Sequence, residues 1–483
     1  MKEPVIVIGD GVNELVAANS LARARYDVVL LNRRAAAAED PFEAGWVPPK
    51  FIREFDLERY GFRIHRPDPW AIVWPEEREL VLTADIRRSA EAIGNLSARD
   101  AEKWPQFCAR MHALAGLLQG LYSAPPADPM LGSAKALARI AMRVRGLGRQ
   151  GMHDLFRLLP MSAADLLDEW FESDALKGVL AGGAVMHLAQ GPRSGGTAFN
   201  MLHHHVGSPA GVFRPPLSNM RAALARRTQV EVQDGSVARI EVRQGRVAAV
   251  VMTDGRELAA CAVVSGLSPQ RTLLELADPG LLDPELVRAI RNIRTRAVSA
   301  QLLLTFDRDP RFTNLVIAPS LDYLERAYDH FKYGGVSPEP YIEATALGSS
   351  GNERYHVQVH VQYVPRRQRD AAWDTQESEK LGRNIVARLS DFAPGLARWV
   401  INQTVLTPAD FEHIHGFPDG QPYHAELALD QWLWMRPVPA LAHYRTPIEG
   451  LYLCGPAMHP GGGIAGLAGA HAAAVIHRDL KSR

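Results

Sequence analysis

At 483 residues the chain is too long for one ordinary core, and two domains are expected. A hydrophobic share of 47% beside 22% charged residues is that of a soluble globular protein. Lys+Arg and Asp+Glu balance at 54 each, so no global field draws the chain to nucleic acid. Cys108, Cys261 and Cys454 are scattered without a CxxC pair, which argues against a disulfide framework and a zinc ribbon and fits a reducing compartment.

The chain opens Met1 to Pro4 and runs straight into a strand, without the apolar region of a secretory signal. No stretch approaches the roughly 20 apolar residues that span a bilayer, so a cytoplasmic location is expected. Val5–Ile8 reads as a buried parallel strand. A helix follows through Leu15, Ala18, Leu21 and Ala22, and then a strand over Val28–Leu31. Strand, tight turn, helix and strand form the opening of a dinucleotide-binding unit. In such a unit the first glycine makes the turn, the second lets backbone approach the pyrophosphate, and the third lets helix and strand pack closely. Gly9 and Gly11 supply the first two, but Glu14 stands at the third position. A carboxylate about 4 Å from a bound phosphate costs roughly 1 to 4 kcal/mol, about one to three decades of affinity, unless the side chain turns outward. The acid expected at the end of the second strand is Asn32, whose uncharged hydrogen bonds to a ribose are about half as strong. Asn32 with Arg33 and Arg34 alternatively reads as an acceptor of the extra phosphate of NADP.

Helical patterns follow from about Ser97 to Tyr122 and from Lys135 to Leu159. Residues 135–157 are locally basic, with an apolar stripe of Leu137, Ile140, Val144 and Leu147. That pattern suits either a solvated helix or one lying on an anionic membrane surface. His203 to His205 are adjacent and cannot all turn to one ion from a regular element, so no metal site is assigned. After the Pro-rich 213–220 and a helix ending at Arg227 come short strands with turns at Asp234-Gly235, Gln244-Gly245 and Asp254-Gly255. A helix near Glu285 to Arg294 and a strand over Ser299–Phe306 follow. Residues 355–364 alternate strictly, Val357, Val359, Val361 and Tyr363 against His356, Gln358, His360 and Gln362, which is one strand of an antiparallel sheet. His356 and His360 share a face but lie roughly 13 Å apart at about 3.3 Å per residue, too far to chelate. Leu381, Ile385, Leu389 and Phe392 mark another helix. The end gives a strand, a Gly-rich loop and a small-residue helix. Three glycines before a helix, Gly461 to Gly463, make a loop whose amides can face a phosphate or ring.

The C-terminal elements "TPADFE", "DQWLWMRPVP", "YRTPIEGLYLCG" and "HPGGGIAG" resemble the signature of the phytoene desaturase-like flavoproteins, within the amine-oxidase flavoprotein superfamily. The resemblance implies FAD at Gly455, Pro460, Gly461, Gly462, Gly463 and Ile464, with adenine near the Val237 backbone. It departs from the family at Glu14, at Asn32, and at 35–50, which lacks the paired glycines of the flavin-wrapping stretch. A glycine-rich family stretch is replaced by "FRPPLSNM". His459, beside the loop, and Arg436 are the candidates for polar groups near chemistry. Tyr423, His424, Trp432 and Trp434 are either pocket wall or core.

The expected fold is α/β, a Rossmann-type domain interleaved with a mixed α+β substrate domain. The first is assigned to 1–85, 215–295 and 415–483, and the second to 86–214 and 296–414. The expected function is flavin-dependent dehydrogenation or desaturation of an apolar small molecule by hydride transfer to FAD. The alternative is a family member without FAD that serves as a partner subunit, in a homo- or hetero-oligomer, or as a hydrophobic-ligand binder.

Overall fold

The computed structural model describes residues 3–32, 43–74, 79–126, 134–350 and 354–482. The strand Val5–Ile8 is buried throughout, in a sheet that packs against the helix Val12–Arg23 and against the strand Arg246–Met252. Five parallel strands run in the order Leu451–Leu453, Ala262–Ser265, Val5–Ile8, Val28–Asn32, Glu231–Asp234. The sheet is thus assembled from both ends and the middle of the chain, as the interleaving predicts. The helix Val12–Arg23 buries Leu15, Val16, Ala17, Ala18 and Leu21. The last helix, Leu467–Lys481, packs against it, and Gly469 allows close contact, since a Cβ there would strike the Asn13 backbone. Two of the three expected turns, Gln244-Gly245 and Asp254-Gly255, are hairpins within an antiparallel meander of Val237–Arg243, Arg246–Met252 and Glu257–Ala259. Asp234-Gly235 instead leads from the parallel strand Glu231–Asp234 into that meander, so it is a connection and not a hairpin. Gln244 and Gly245 both take positive φ, 53° and 77°, as a two-residue hairpin turn requires.

The second unit is a seven-stranded sheet ordered Val400–Leu406, Ser299–Phe306, Arg354–Gln362, Ile342–Ser350, Asn314–Ile317, Ala71–Val73, Leu80–Leu82. The last two strands in that order correct the expected boundary at residue 85. Ile72 pairs with Leu315 and all of Ala71–Val73 is buried, so this early segment completes the substrate sheet. In Arg354–Gln362 the valines at 357, 359 and 361 are fully buried. The opposite face, which carries Gln358 and His360, looks onto a cavity and not onto bulk water.

Helices Ala98–Tyr122, Ala163–Trp170, Asp174–Val185 and Thr197–His204 build the helical part. Ser97, Ser162 and Ser173 cap the first three by accepting from Asp100, Asp165 and Leu176 N–H groups. The basic stretch forms two helices, Ala134–Gly146 and Gly148–Leu158, separated at Leu147 and redirected by Gly148, whose φ is 72°. Met142 and Phe156 on them are exposed. Among the described residues no helix is long and apolar enough to cross a membrane.

Candidate functional site

A cavity of about 320 Å3 begins at the turn Gly9–Glu14, passes along Gly461–Ala465 and Gly45, and ends against His187, Arg214, Ser299, Glu343 and His360 of the second unit. It lies at the carboxyl ends of the parallel strands, where ligands bind in open α/β sheets.

At the mouth of the first strand, Gly9 turns with φ 107° and donates its N–H to Leu31 O at 3.0 Å. Gly11 caps the helix Val12–Arg23. Glu14 turns inward and is only 4% exposed. A Cβ built on Gly9 would stand 3.2 Å from Glu14 Cγ, one on Gly11 2.5 Å from Oε2, and one on Gly266 would overlap the carboxyl group. Three glycines therefore make a cradle that the chain's own carboxylate fills. Asp10, between the two glycines, accepts from Arg221 at 2.8 Å and is charge-balanced there. Burial, and then the charge of Glu14, push the Cys454 thiol well up, so it stays protonated.

The C-terminal loop is held differently. Trp46 N–H donates to Gly463 O at 2.8 Å, Ala465 N–H to Trp46 O at 2.9 Å, and Ile464 bridges Trp46 in parallel. A Cβ on Gly45 would stand 2.7 Å from Gly463 O, and one on Gly462 would enter the Tyr423 ring. Gly455 is a packing glycine, its Cα face against the Gly266 carbonyl. The histidine triplet partly explains the loop. His203 Nε2 donates to Gly462 O at 2.8 Å, which leaves Nδ1 to accept from the Tyr122 hydroxyl at 2.8 Å, and Tyr122 accepts from Trp432 Nε1 at 3.2 Å. His204 faces the Tyr423 ring, and His205 donates through Nδ1 to Val212 O and stacks on Phe213, so the three rings serve separate contacts.

Asn32 sits at the end of the second strand, where its carbonyl accepts from Gly235 N–H at 3.0 Å, and Val237 opens the adjoining meander. Both lie beyond the cavity wall. Arg33 and Arg34, and the first half of the stretch expected to wrap the flavin, lie outside the described residues.

His459 and Arg436 are corrected as candidates for chemistry, because neither lines the cavity. His459 is wholly buried behind the loop, donates through Nε2 to Ala124 O at 3.2 Å, and stacks on His471. Burial and the neighbouring His471 keep its ring neutral. Arg436, also wholly buried, donates to five backbone carbonyls, those of Tyr423, Ala425, Glu426, Gln431 and Pro456. Its charge is spent holding the turn that carries Tyr423. Of the aromatic cluster, Tyr423 and His424 line the cavity, while Trp432 packs on Phe199.

Sequence reasoning missed Arg214, His187, Glu343 and Gly266. Arg214 lies in the stretch "FRPPLSNM", which the sequence marks only as a departure, and Gly266 directly follows the strand Ala262–Ser265.

For FAD, the residues present fit along the C-terminal loop, where amides and a cavity flank the chain. They fit at the first turn when the Glu14 side chain leaves its cradle, since Gly9, Gly11 and Gly266 then offer the space that it fills.

The model of the family described as "Flavin containing amine oxidoreductase" matches residues 59–477. Over 551 aligned residues, 99% of this chain and 94% of the other, the sequence is 29% identical to the rat (Rattus norvegicus) "Pyridine nucleotide-disulfide oxidoreductase domain-containing protein 2". A lycopene-forming phytoene desaturase of Pantoea ananas is 26% identical across 38% of this chain and 39% of its own length. A redesigned putrescine oxidase superposes at TM-score 0.62 and 12% identity over 100% of this chain and 99% of that one. Cyclohexylamine oxidase of Brevibacterium oxydans gives 0.58 and 14% over 100% of both. These structures show the fold.

Proposed function

The chain belongs to the flavin containing amine oxidoreductase family, whose cofactor is FAD, and from that premise we propose that it oxidises a largely apolar small molecule held at the inner end of the cavity. The observation that carries this reading is the continuity of one cavity from the glycine turn, along the Gly461–Ile464 loop, to the sheet of the second unit. Gly9, Gly11 and the first turn of the helix Val12–Arg23 would hold the pyrophosphate, and Gly461 to Ile464 the ring. FAD bound there supplies two-electron oxidation by accepting a hydride.

The protein's part is position and exclusion of water. Met186, Leu217, Met220, Leu267, Tyr423 and Ile464 give the cavity apolar walls. His187 and His424 border it with rings that burial holds neutral, their pKa values lowered to about 4 and about 3. Neutral imidazoles accept hydrogen bonds without placing a cation beside the reacting carbon. His203 and Arg436 act at one remove, by fixing the loop and the turn.

The test is anaerobic mixing of FAD-loaded protein with candidate apolar substrates while the visible flavin band is followed. Bleaching by one of them supports oxidation. A flavin that dithionite reduces but that no member of a broad panel bleaches counts against it.

The filled cradle favours one second reading, a family member that binds apolar ligands without FAD. It predicts ligand binding by protein that takes up no flavin.

A further inference from the structure

At its inner end the cavity meets a buried ion pair. Arg214 Nη1 bonds the Glu343 carboxylate. The same carboxylate accepts from Tyr341 OH at 3.0 Å and from Asn314 Nδ2 at 3.0 Å, so both of its oxygens are taken. Glu343 is fully buried, whereas Arg214 keeps 14% of its side chain open, at the cavity wall. The remaining guanidinium N–H groups make no hydrogen bond to a described residue. Burial pulls the Arg214 pKa to about 10, which leaves it protonated at neutral pH. A fixed donor edge thus faces the space where substrate would lie.

The neighbours are acceptors or neutral. Gln362 commits its amide nitrogen to Val185 O and Leu188 O, so its oxygen must accept from His360 Nε2 at 3.2 Å. His360 is then the tautomer with its proton on Nε2, and Nδ1 carries the lone pair. His187 bonds Ser299 Oγ at 3.0 Å and meets His360 edge to face. Arg214 and Glu343 cancel in charge, and burial keeps both histidines uncharged. A carboxylate placed here would bring an unbalanced charge into a buried site, which is costly. A carbonyl oxygen would satisfy the open donors at no such cost.

We propose that Arg214, held in place by Glu343, anchors a neutral carbonyl group at one end of an otherwise apolar substrate, a ketone, enone or quinone, and so sets specificity. The proposal rests on the same cavity as the flavin reading and names the substrate class for it.

The test uses three probes of one shape, acetylnaphthalene, naphthoate and ethylnaphthalene, titrated by calorimetry into the full chain with and without added FAD. Acetylnaphthalene is expected to bind about 10- to 100-fold tighter than ethylnaphthalene, and tighter than naphthoate. In the double variant Arg214→Met with Glu343→Gln, which leaves no carboxylate unpaired, that preference disappears while ethylnaphthalene affinity holds. Should the double variant fold poorly, Arg214→Lys replaces it and is expected to lose most of the preference, because an ammonium cannot reproduce the fixed fork. Tightest binding of naphthoate, equal binding of the three probes, or a ketone preference that survives in the variants overturns the proposal. Failure to take up FAD would contradict the flavin reading and leave the probe comparison standing.

Discussion

The two ends of the proposed cofactor site are built on opposite principles. At the N-terminal turn, Gly9, Gly11 and Gly266 leave space, and the chain fills it with Glu14. At the C-terminal loop, Gly461 to Gly463 are just as bare, but the surrounding bonds hold the backbone open: Trp46 to Gly463, His203 to Gly462, and Arg436 behind the Tyr423 turn. One end carries an acid where a phosphate would lie, and the other is a frame of backbone bonds with no acid among the residues that brace it. Glycine content alone does not make a site. What decides is the chemistry of the side chain that reaches the space, a carboxylate at the first turn and the Tyr423 ring at the loop.

The largest effect should come from breaking the rigid end. Arg436→Met leaves five carbonyls without their donor and is expected to cost about 3–5 kcal/mol of stability, read as a drop in the denaturant midpoint. An unchanged midpoint would mean that the loop does not depend on this clamp. Next, Glu14→Gly and Glu14→Gln should each raise FAD affinity, by about one to three decades for loss of the charge. If Gly helps and Gln does not, the obstacle is volume and not charge.

The pH dependence follows from the buried rings. His187, His203, His205 and His471 have pKa values lowered to about 4 by burial. As pH falls below about 6.5, the unfolded chain binds protons that the folded one refuses. Stability is therefore full above neutrality and is lost between about 6.5 and 4, by up to about 1.4 kcal/mol per pH unit for each ring. A melting temperature that stays flat from pH 7 to 5 would contradict this. The smallest effect is Asn32→Glu, expected to improve FAD binding several-fold by adding charge assistance at the ribose position. If the ribose of bound FAD reaches Asn32, the gain should add to that of Glu14→Gly, because the two positions would then face different parts of the cofactor.

The opening strand, two of the hairpins and the strand of alternating valines were legible because each rests on a local signal: a run of four apolar residues, a turn dipeptide, a period of two. The C-terminal loop was legible from its motif. What lay hidden was set by distant pairing. Residues 71–82 look like part of the first unit until Ile72 is seen beside Leu315. His459 stands next to the loop in sequence yet faces Ala124. Arg214 gains its meaning only from Glu343, far along the chain, and no spacing rule connects them. The direction of Glu14 was the open question of the opening motif, and packing against Gly266 answers it.

The most direct test of the account is an absorption titration of the purified chain with FAD, run beside Glu14→Gly. The account predicts a bound-flavin spectrum in both, reached at clearly lower FAD concentration in the variant. Two proteins that stay colourless in excess FAD would contradict it, and would show that displacing one carboxylate does not restore the site.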